Sequence, residues 1–277
     1  MSKELFLAAL ICYLTGTLGY LLYVVLQEEV LHRVARYILL FGFILHASGF
    51  VVSYIQTGFL PVSTFRNSLS FFALAIIGAY LLIQARFNLM ILGSFVSPLA
   101  SMFMIFAALT PQAALPASPL LKSLWLTVHV SFVFLGLGIF TVAFAAAIMY
   151  LIQERHLKRK RFSPLYRRLP SLDVLDAVNY YCLVSGFPLL TIGLIIGSIY
   201  AQMALGKYWR WDPKEVWSLS TWFFYAVLLH ERLTVGWRGR RAAIMAVIGF
   251  AAILFTYMGV NHWLKGYHSF SGLQAIK

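Results

Sequence analysis

Long apolar runs separated by short polar clusters make up most of this chain. A helix needs about 20 apolar residues to cross the hydrocarbon core of a bilayer. Eight runs reach or approach that length, at about 4–26, 37–57, 69–84, 89–109, 123–152, 181–204, 217–233 and 242–263. The third and the seventh are short. The pattern predicts an all-α polytopic membrane protein of about eight transmembrane helices, forming one domain over residues 1–277. The first run starts with Lys3 and Glu4, is long, and has no small-residue cleavage site after it. It is therefore expected to be a retained helix and not a signal peptide.

The polar clusters predict sidedness, because Lys and Arg collect in cytoplasmic loops. The fifth run is followed by Arg155, Lys158, Arg159, Lys160, Arg161, Arg167 and Arg168, and the seventh by Arg232, Arg238, Arg240 and Arg241. Alternation brings Arg33, Arg36 and Arg86 to the same side, which then holds 14 of the 22 basic residues. Lys3, Arg66, Lys122, Lys207, Arg210, Lys214, Lys265 and Lys277 fall on the other side. Both termini are expected to be external, as is the segment from about Leu205 to Val216. The longest loop, about 153–180, contains Pro164 and Pro170, and Asp173 is expected to cap a short interfacial helix there. No internal repeat has a clear period, so an inverted-repeat transporter finds no support.

Composition agrees with a membrane setting. The chain is 61% hydrophobic and 11% charged, against about half and about a quarter in soluble domains. A net charge of +13 would suit nucleic acid, but no basic, aromatic-interleaved soluble segment exists to bind it. Basic loops explain the charge, and the expected surrounding partner is membrane lipid, not nucleic acid. Cys12 and Cys182 sit singly in apolar runs. Neither a C-x-x-C nor a C-x-x-C-H motif is present, so the chain is not itself a c-type cytochrome.

The richest segment is Gly206-Lys-Tyr-Trp-Arg-Trp-Asp-Pro-Lys-Glu-Val-Trp-Ser-Leu-Ser-Thr-Trp222, which carries Trp209, Trp211, Trp217 and Trp222, four of the seven tryptophans. Asp212 suits an N-cap, Pro213 the first helical position and Glu215 the third, in the manner of a capping box. Trp209 and Trp211 would then precede the seventh helix, and Trp217 and Trp222 lie on its first turns. An interfacial aromatic belt accounts for one or two tryptophans at such a place. Four, around so specified a turn, favour a platform for a flat hydrophobic macrocycle, with Lys207, Arg210 and Lys214 available to its carboxylates.

The same residues carry a family resemblance. Tyr208-Trp209-Arg210-Trp211-Asp212-Pro213-Lys214-Glu215, followed by Trp217, Trp222 and Leu229-His230, resembles the tryptophan-rich WWD domain of the haem-handling protein family. Within that family, the length and eight spans look like the System II cytochrome c synthetase subunit of the CcsA or ResC type. The resemblance runs from about His46 to His268, with the WWD segment at about 197–222. Tyr200 and Leu205 stand where the family often has tryptophan. Thr64, Arg66 and Asn67 replace its usual Asn, aromatic and Glu.

Histidine inside a bilayer is costly and is a functional hypothesis by default, and neutral imidazole is an axial ligand of haem iron. His129 lies one turn after Trp125, and His268 lies in Gly266-Tyr-His-Ser-Phe270. Both fall on the tryptophan side. The resemblance implies that these two hold the iron of an external haem. An interhelical hydrogen bond is the plainer role for His129, and a solvated tail position for His268. The resemblance also implies a deeper pair, His46 and His230, for which helix-packing hydrogen bonds are the alternative. His32 and His156 sit among charges and are expected at the interface. His262, beside Trp263, is the rival to His268.

The resemblance implies cytochrome c biogenesis. Haem b (iron protoporphyrin IX) would be bound through the metal ligands His129, His268, His230 and His46. Trp209, Trp211, Asp212, Trp217, Trp222 and Lys214 would form the cofactor-binding surface. The implied partners are an apocytochrome c with a C-x-x-C-H motif, a large-ectodomain synthetase subunit (CcsB or ResB type), and a thiol reductase acting on the apocytochrome. The implied activity is that of a haem lyase subunit working with its partner. The implied location is the bacterial inner membrane, or the thylakoid membrane of a plastid, with the WWD segment periplasmic or lumenal. Two other classes compete. One is a haem-binding chaperone or regulator without ligase activity. The other is a diheme electron-transfer cytochrome b, which would pair histidines on the same helices, whereas these are scattered singly.

Overall fold

The structure, a computed structural model, describes residues 3–113, 119–160 and 164–260. All eight apolar runs are helices: α1 (Lys3–Leu26), α2 (Glu29–Thr57), α3 (Phe65–Phe87), α4 (Leu92–Leu109), α5 (Leu124–Lys158), α7 (Leu172–Leu205), α8 (Pro213–His230) and α9 (Arg240–Leu254). A short α6 (Pro164–Arg168) lies between α5 and α7, and a 3-10 turn (Pro119–Lys122) precedes α5. No strand occurs among the described residues. Seven of the helices, all but α6 and α8, are long and apolar enough to cross a membrane, α9 being counted with the π-helical turn Phe255–Gly259 that continues it. The exception among the eight runs, α8, opens with Lys214 and Glu215, ends at His230 and passes into a π-helical turn at Glu231–Val235 that contains Glu231 and Arg232.

Local chemistry sets the boundaries. Gly58 ends α2 and Asn88 ends α3 in the left-handed conformation that turns a chain out of a helix. Thr64 starts α3 by accepting from the N–H of Asn67. The expectation for Asp173 is corrected. Ser171 is the cap, accepting from the N–H of Val174, and Asp173 sits in the first turn of the long α7. An acidic residue there is favourable to the helix dipole without being the cap, and α7 begins nine residues before its apolar run does.

Large apolar side chains cover much of the outside. Ile11, Leu18, Phe41, Ile44 and Ile55 on α1 and α2 are all more than half exposed. A water-soluble surface would not leave so broad an apolar face bare. By contrast α3 and α5 are buried over most of their apolar stretches and form the middle of the bundle.

Polar contacts collect the helix ends. At one end, Arg168 donates to the Val25 carbonyl, Arg240 pairs with Glu154, and Arg232 pairs with Asp176. These join the C-terminal ends of α1, α5 and α8 to α6, to the N-terminal end of α9 and to that of α7, respectively. At the opposite end, Arg66 donates to the Thr110 carbonyl and covers the Phe6 ring, and Tyr200 donates to the Leu120 carbonyl. Consecutive long helices thus run in alternate directions. The first end carries the basic clusters and the second carries the tryptophan segment.

Candidate haem-handling site

The outer half of α7 is the post on which the tryptophan end is assembled. One of its faces carries Gly186, Leu190, Gly193 and Gly197. The next, about 100° round at 3.6 residues per turn, carries Phe187, Thr191 and Ser198. The small face meets α5. A Cβ built on Gly193 would lie 2.7 Å from a Val133 methyl, and one on Gly197 would lie 2.5 Å from the His129 ring. Gly193 and Gly197 form a G-x-x-x-G spacing, which lets membrane helices approach closely. His129 fills the space that the missing side chain at Gly197 leaves.

His129 is held there by a hydrogen bond. Its Nδ1 lies 2.7 Å from the Gly193 carbonyl. A carbonyl oxygen only accepts, so Nδ1 carries the proton, and in the neutral ring Nε2 bears the lone pair. Histidines that ligate metals almost always donate their other nitrogen in this way, which orients the ring and raises its basicity. This bond fits both a packing histidine and an axial ligand.

The other face of α7 receives the tryptophan segment. Ser198 donates to the Tyr208 carbonyl at 3.0 Å, and Trp222 Nε1 donates to Thr191 Oγ1 at 2.8 Å with its ring beside Phe187. Trp217 packs edge-on against Phe255 at the end of α9, with ring centroids 4.6 Å apart. The four tryptophans therefore divide. Trp217 and Trp222 anchor α8 to its neighbours, while Trp209 and Trp211 stand edge-to-face, 5.9 Å apart, in the preceding loop.

That loop is tightly held. The sequence-predicted capping box is present: Asp212 accepts from the N–H of Lys214, and Glu215 Oε2 accepts from the N–H of Asp212. Glu215 Oε2 also takes the N–H of Arg210 at 2.8 Å. One carboxylate thus holds the residues on both sides of Trp211. Trp211 itself is left-handed, with φ at +60°, and 77% exposed. Such a backbone costs a non-glycine residue about 1–3 kcal/mol and persists only where its surroundings impose it. Glu215 imposes it, and the result turns a large indole outward. The sequence marked Glu215 as a helix start; its grip on Trp211 depends on a loop conformation that spacing alone does not reveal.

Trp209 and Trp211 line an open cavity of about 560 Å³ with Leu205, Lys207 and Arg210. Leu205, one of the two departures from the family's tryptophans, is part of its wall. Tyr200, the other, ties α7 to the turn before α5. Asp212 is buried and serves as the helix cap. Lys214 is half-buried on the first turn of α8.

The remaining histidines are spread out. His46 is fully buried in the middle of α2, with Ser70 Oγ 2.8 Å from Nε2 and Tyr13 OH 3.2 Å from Nδ1. His230 is exposed at the C-terminal end of α8, beside the basic clusters. No hydrogen bond or ring contact among the described residues joins the two. His32 is at the basic end as its position predicts, yet it is buried between Tyr20 and Tyr23 and is not an interfacial side chain. His262 and His268 lie outside the described residues. No cluster of three or more His, Cys, Asp or Glu side chains suited to a metal ion occurs among the described residues. Haem iron needs only one or two axial ligands from the protein.

An all-α membrane bundle with tryptophans, basic residues and an oriented histidine at one end defines an integral membrane protein built around an aromatic surface site. Residues 62–268 match the family described as cytochrome C assembly protein. The chain is 37% identical over 239 residues to the cytochrome c biogenesis protein CcsA of Guillardia theta, covering 79% of each chain. It is 37% identical over 227 residues to that of Chlamydomonas reinhardtii, covering 79% of this chain and 63% of the relative. To that of Gloeothece citriformis it is 34% identical over 265 residues, covering 78% and 81%. The chain belongs to the cytochrome c assembly family, within its CcsA type, and acts in cytochrome c biogenesis. The family match takes in His129, His230, His268 and the whole tryptophan segment. It starts at Val62, downstream of His46.

Proposed function

We propose that this chain binds haem b at its tryptophan end and, with a large-ectodomain partner subunit, supports thioether attachment of that haem to an apocytochrome c. The observation that carries the reading is the Nδ1 bond from His129 to Gly193 on α7, the helix whose neighbouring face receives the tryptophan segment; Nε2 is the nitrogen proposed to meet the iron. His268 would hold the iron together with His129. Trp209 and Trp211 offer apolar faces to the ring, and Lys207 and Arg210 offer charge to its carboxylates.

Bound haem supplies the vinyl groups to which the C-x-x-C-H thiols of the apocytochrome add, those thiols being kept reduced by a separate thiol reductase. The chain's own contribution is positioning: Glu215 fixes the loop, Gly197 makes room for the imidazole, and His129 would hold the iron. His46 and His230 are the proposed inner ligands. In the full chain purified with its partner, haem content should fall when His129 is replaced by Gly, and fall further when His46 or His230 is replaced by Ala. Wild-type haem content and visible spectrum in all three variants would rule out these sites.

The tryptophan end is proposed to be periplasmic or lumenal, with both chain termini on that side, because the opposite end carries the basic loops. A reporter fused after Arg161 should read cytoplasmic and one fused at Lys277 external. Reporters reading the same side would refute the arrangement.

A further inference from the structure

The basic end of the bundle holds a second cavity, of about 720 Å³, enclosed by α5, α7, the π-helical turn after α8 and the start of α9. We propose that it binds the phosphate of an anionic phospholipid, whose acyl chains lie along the exposed apolar side chains at its edge. The inference is independent of the haem reading.

Three kinds of positive group border this cavity. Arg232 lines it and is only 8% exposed. Its two terminal nitrogens are engaged by Asp176, at 3.0 and 2.6 Å to the carboxylate and 3.0 Å to the carbonyl. Its Nε is closed off from the cavity and has no partner, so Arg232 contributes charge to the wall while its hydrogen bonds stay with Asp176. The second is the start of α9. Its N-cap is Gly239, which has no side chain to cap the first turn and whose own N–H goes to Asp176. An uncapped helix N-terminus directs N–H groups and the positive dipole end at whatever fills the space before it. The third is the pair Arg238 and Arg240, both exposed at the rim.

The acidic groups leave this field positive. Asp176 is neutralised by Arg232 and the Gly239 N–H. Glu154 is 3.6 Å from Arg240 but 2.7 Å from Lys158, so it is shared. Asp173 is the remaining carboxylate in the wall.

A small free anion would need only these groups. The cavity lining includes Tyr180 and Leu233, which are 38% and 60% exposed. Apolar surface beside a phosphate site between membrane helices fits a lipid with a charged headgroup. The π turn that carries Arg232 and Leu233 is a helix irregularity often found at functional sites.

The test offers the purified full-length protein equal amounts of phosphatidylglycerol and phosphatidylcholine with identical chains, and counts retained lipids by native mass spectrometry. Phosphatidylglycerol should be retained about tenfold over phosphatidylcholine. The double variant Arg238→Gln/Arg240→Gln should bring the ratio near one, while Arg238→Lys/Arg240→Lys should keep most of it. Excess inorganic phosphate should not displace the lipid. Equal retention by the wild type, or an unchanged ratio in the Gln pair, would overturn the proposal. Displacement by inorganic phosphate would overturn its lipid part, leaving a site for the free anion.

Discussion

Replacing His129 or His268 with glycine is expected to abolish cytochrome c maturation, and added imidazole is expected to restore part of it. Glycine removes the ligand and leaves a hole of its shape, which free imidazole can enter. At position 129 the hole is well defined, because Gly193 and Gly197 on α7 form its other wall and the Gly193 carbonyl remains to orient the guest ring. His262→Gly should mature cytochrome c nearly normally. The measurement is covalent haem in a reporter cytochrome, with and without imidazole. Wild-type maturation in His268→Gly together with loss in His262→Gly would show that the second ligand is His262. Activity in all three variants would remove the external bis-histidine site.

The second large effect is expected at a residue with no chemistry of its own. Gly197→Leu should abolish maturation as thoroughly as His129→Gly does, and imidazole should not rescue it. The added side chain would occupy the place of the His129 ring, since even a Cβ at this position comes within 2.5 Å of it. Overpacking of this kind costs about 1–3 kcal/mol, which a bundle held by α3, α5 and α9 can absorb while the imidazole is pushed off its carbonyl. The protein should still reach the membrane in normal amount. Rescue by imidazole, or normal maturation, would show that the contact between Gly197 and His129 is incidental.

The helices and the capping box were legible because each depends on neighbours in sequence. An apolar run long enough for a bilayer reads as a helix whatever it packs against, and Asp212-Pro213-Lys214-Glu215 closes its hydrogen bonds within four residues. Helix starts were less legible. The run at 181–204 hid nine further residues of α7, whose start at Ser171 is amphipathic and lies beyond the apolar stretch. His129 was identified from its place near a helix end and from the family resemblance. Its tautomer was not, since the fixing carbonyl belongs to Gly193, 64 residues away.

By itself the sequence determined the solvent, the helical state of the apolar runs, the segregation of basic residues to one end, and the capping box that starts α8. All of these follow from hydropathy and short-range hydrogen bonding. Only the tertiary structure decided the division of labour among equivalent residue types. Trp222 became a packing anchor because Thr191 waits for its N–H, whereas Trp211 stands exposed because Glu215 holds its backbone left-handed. His46 was satisfied by Ser70 and Tyr13, and Arg232 was drawn onto Asp176 with one nitrogen to spare. For Trp222, His46 and Arg232 the physical reason is the same. Inside a bilayer a polar side chain takes the partner that helix packing brings within reach, and packing pairs residues far apart in the chain.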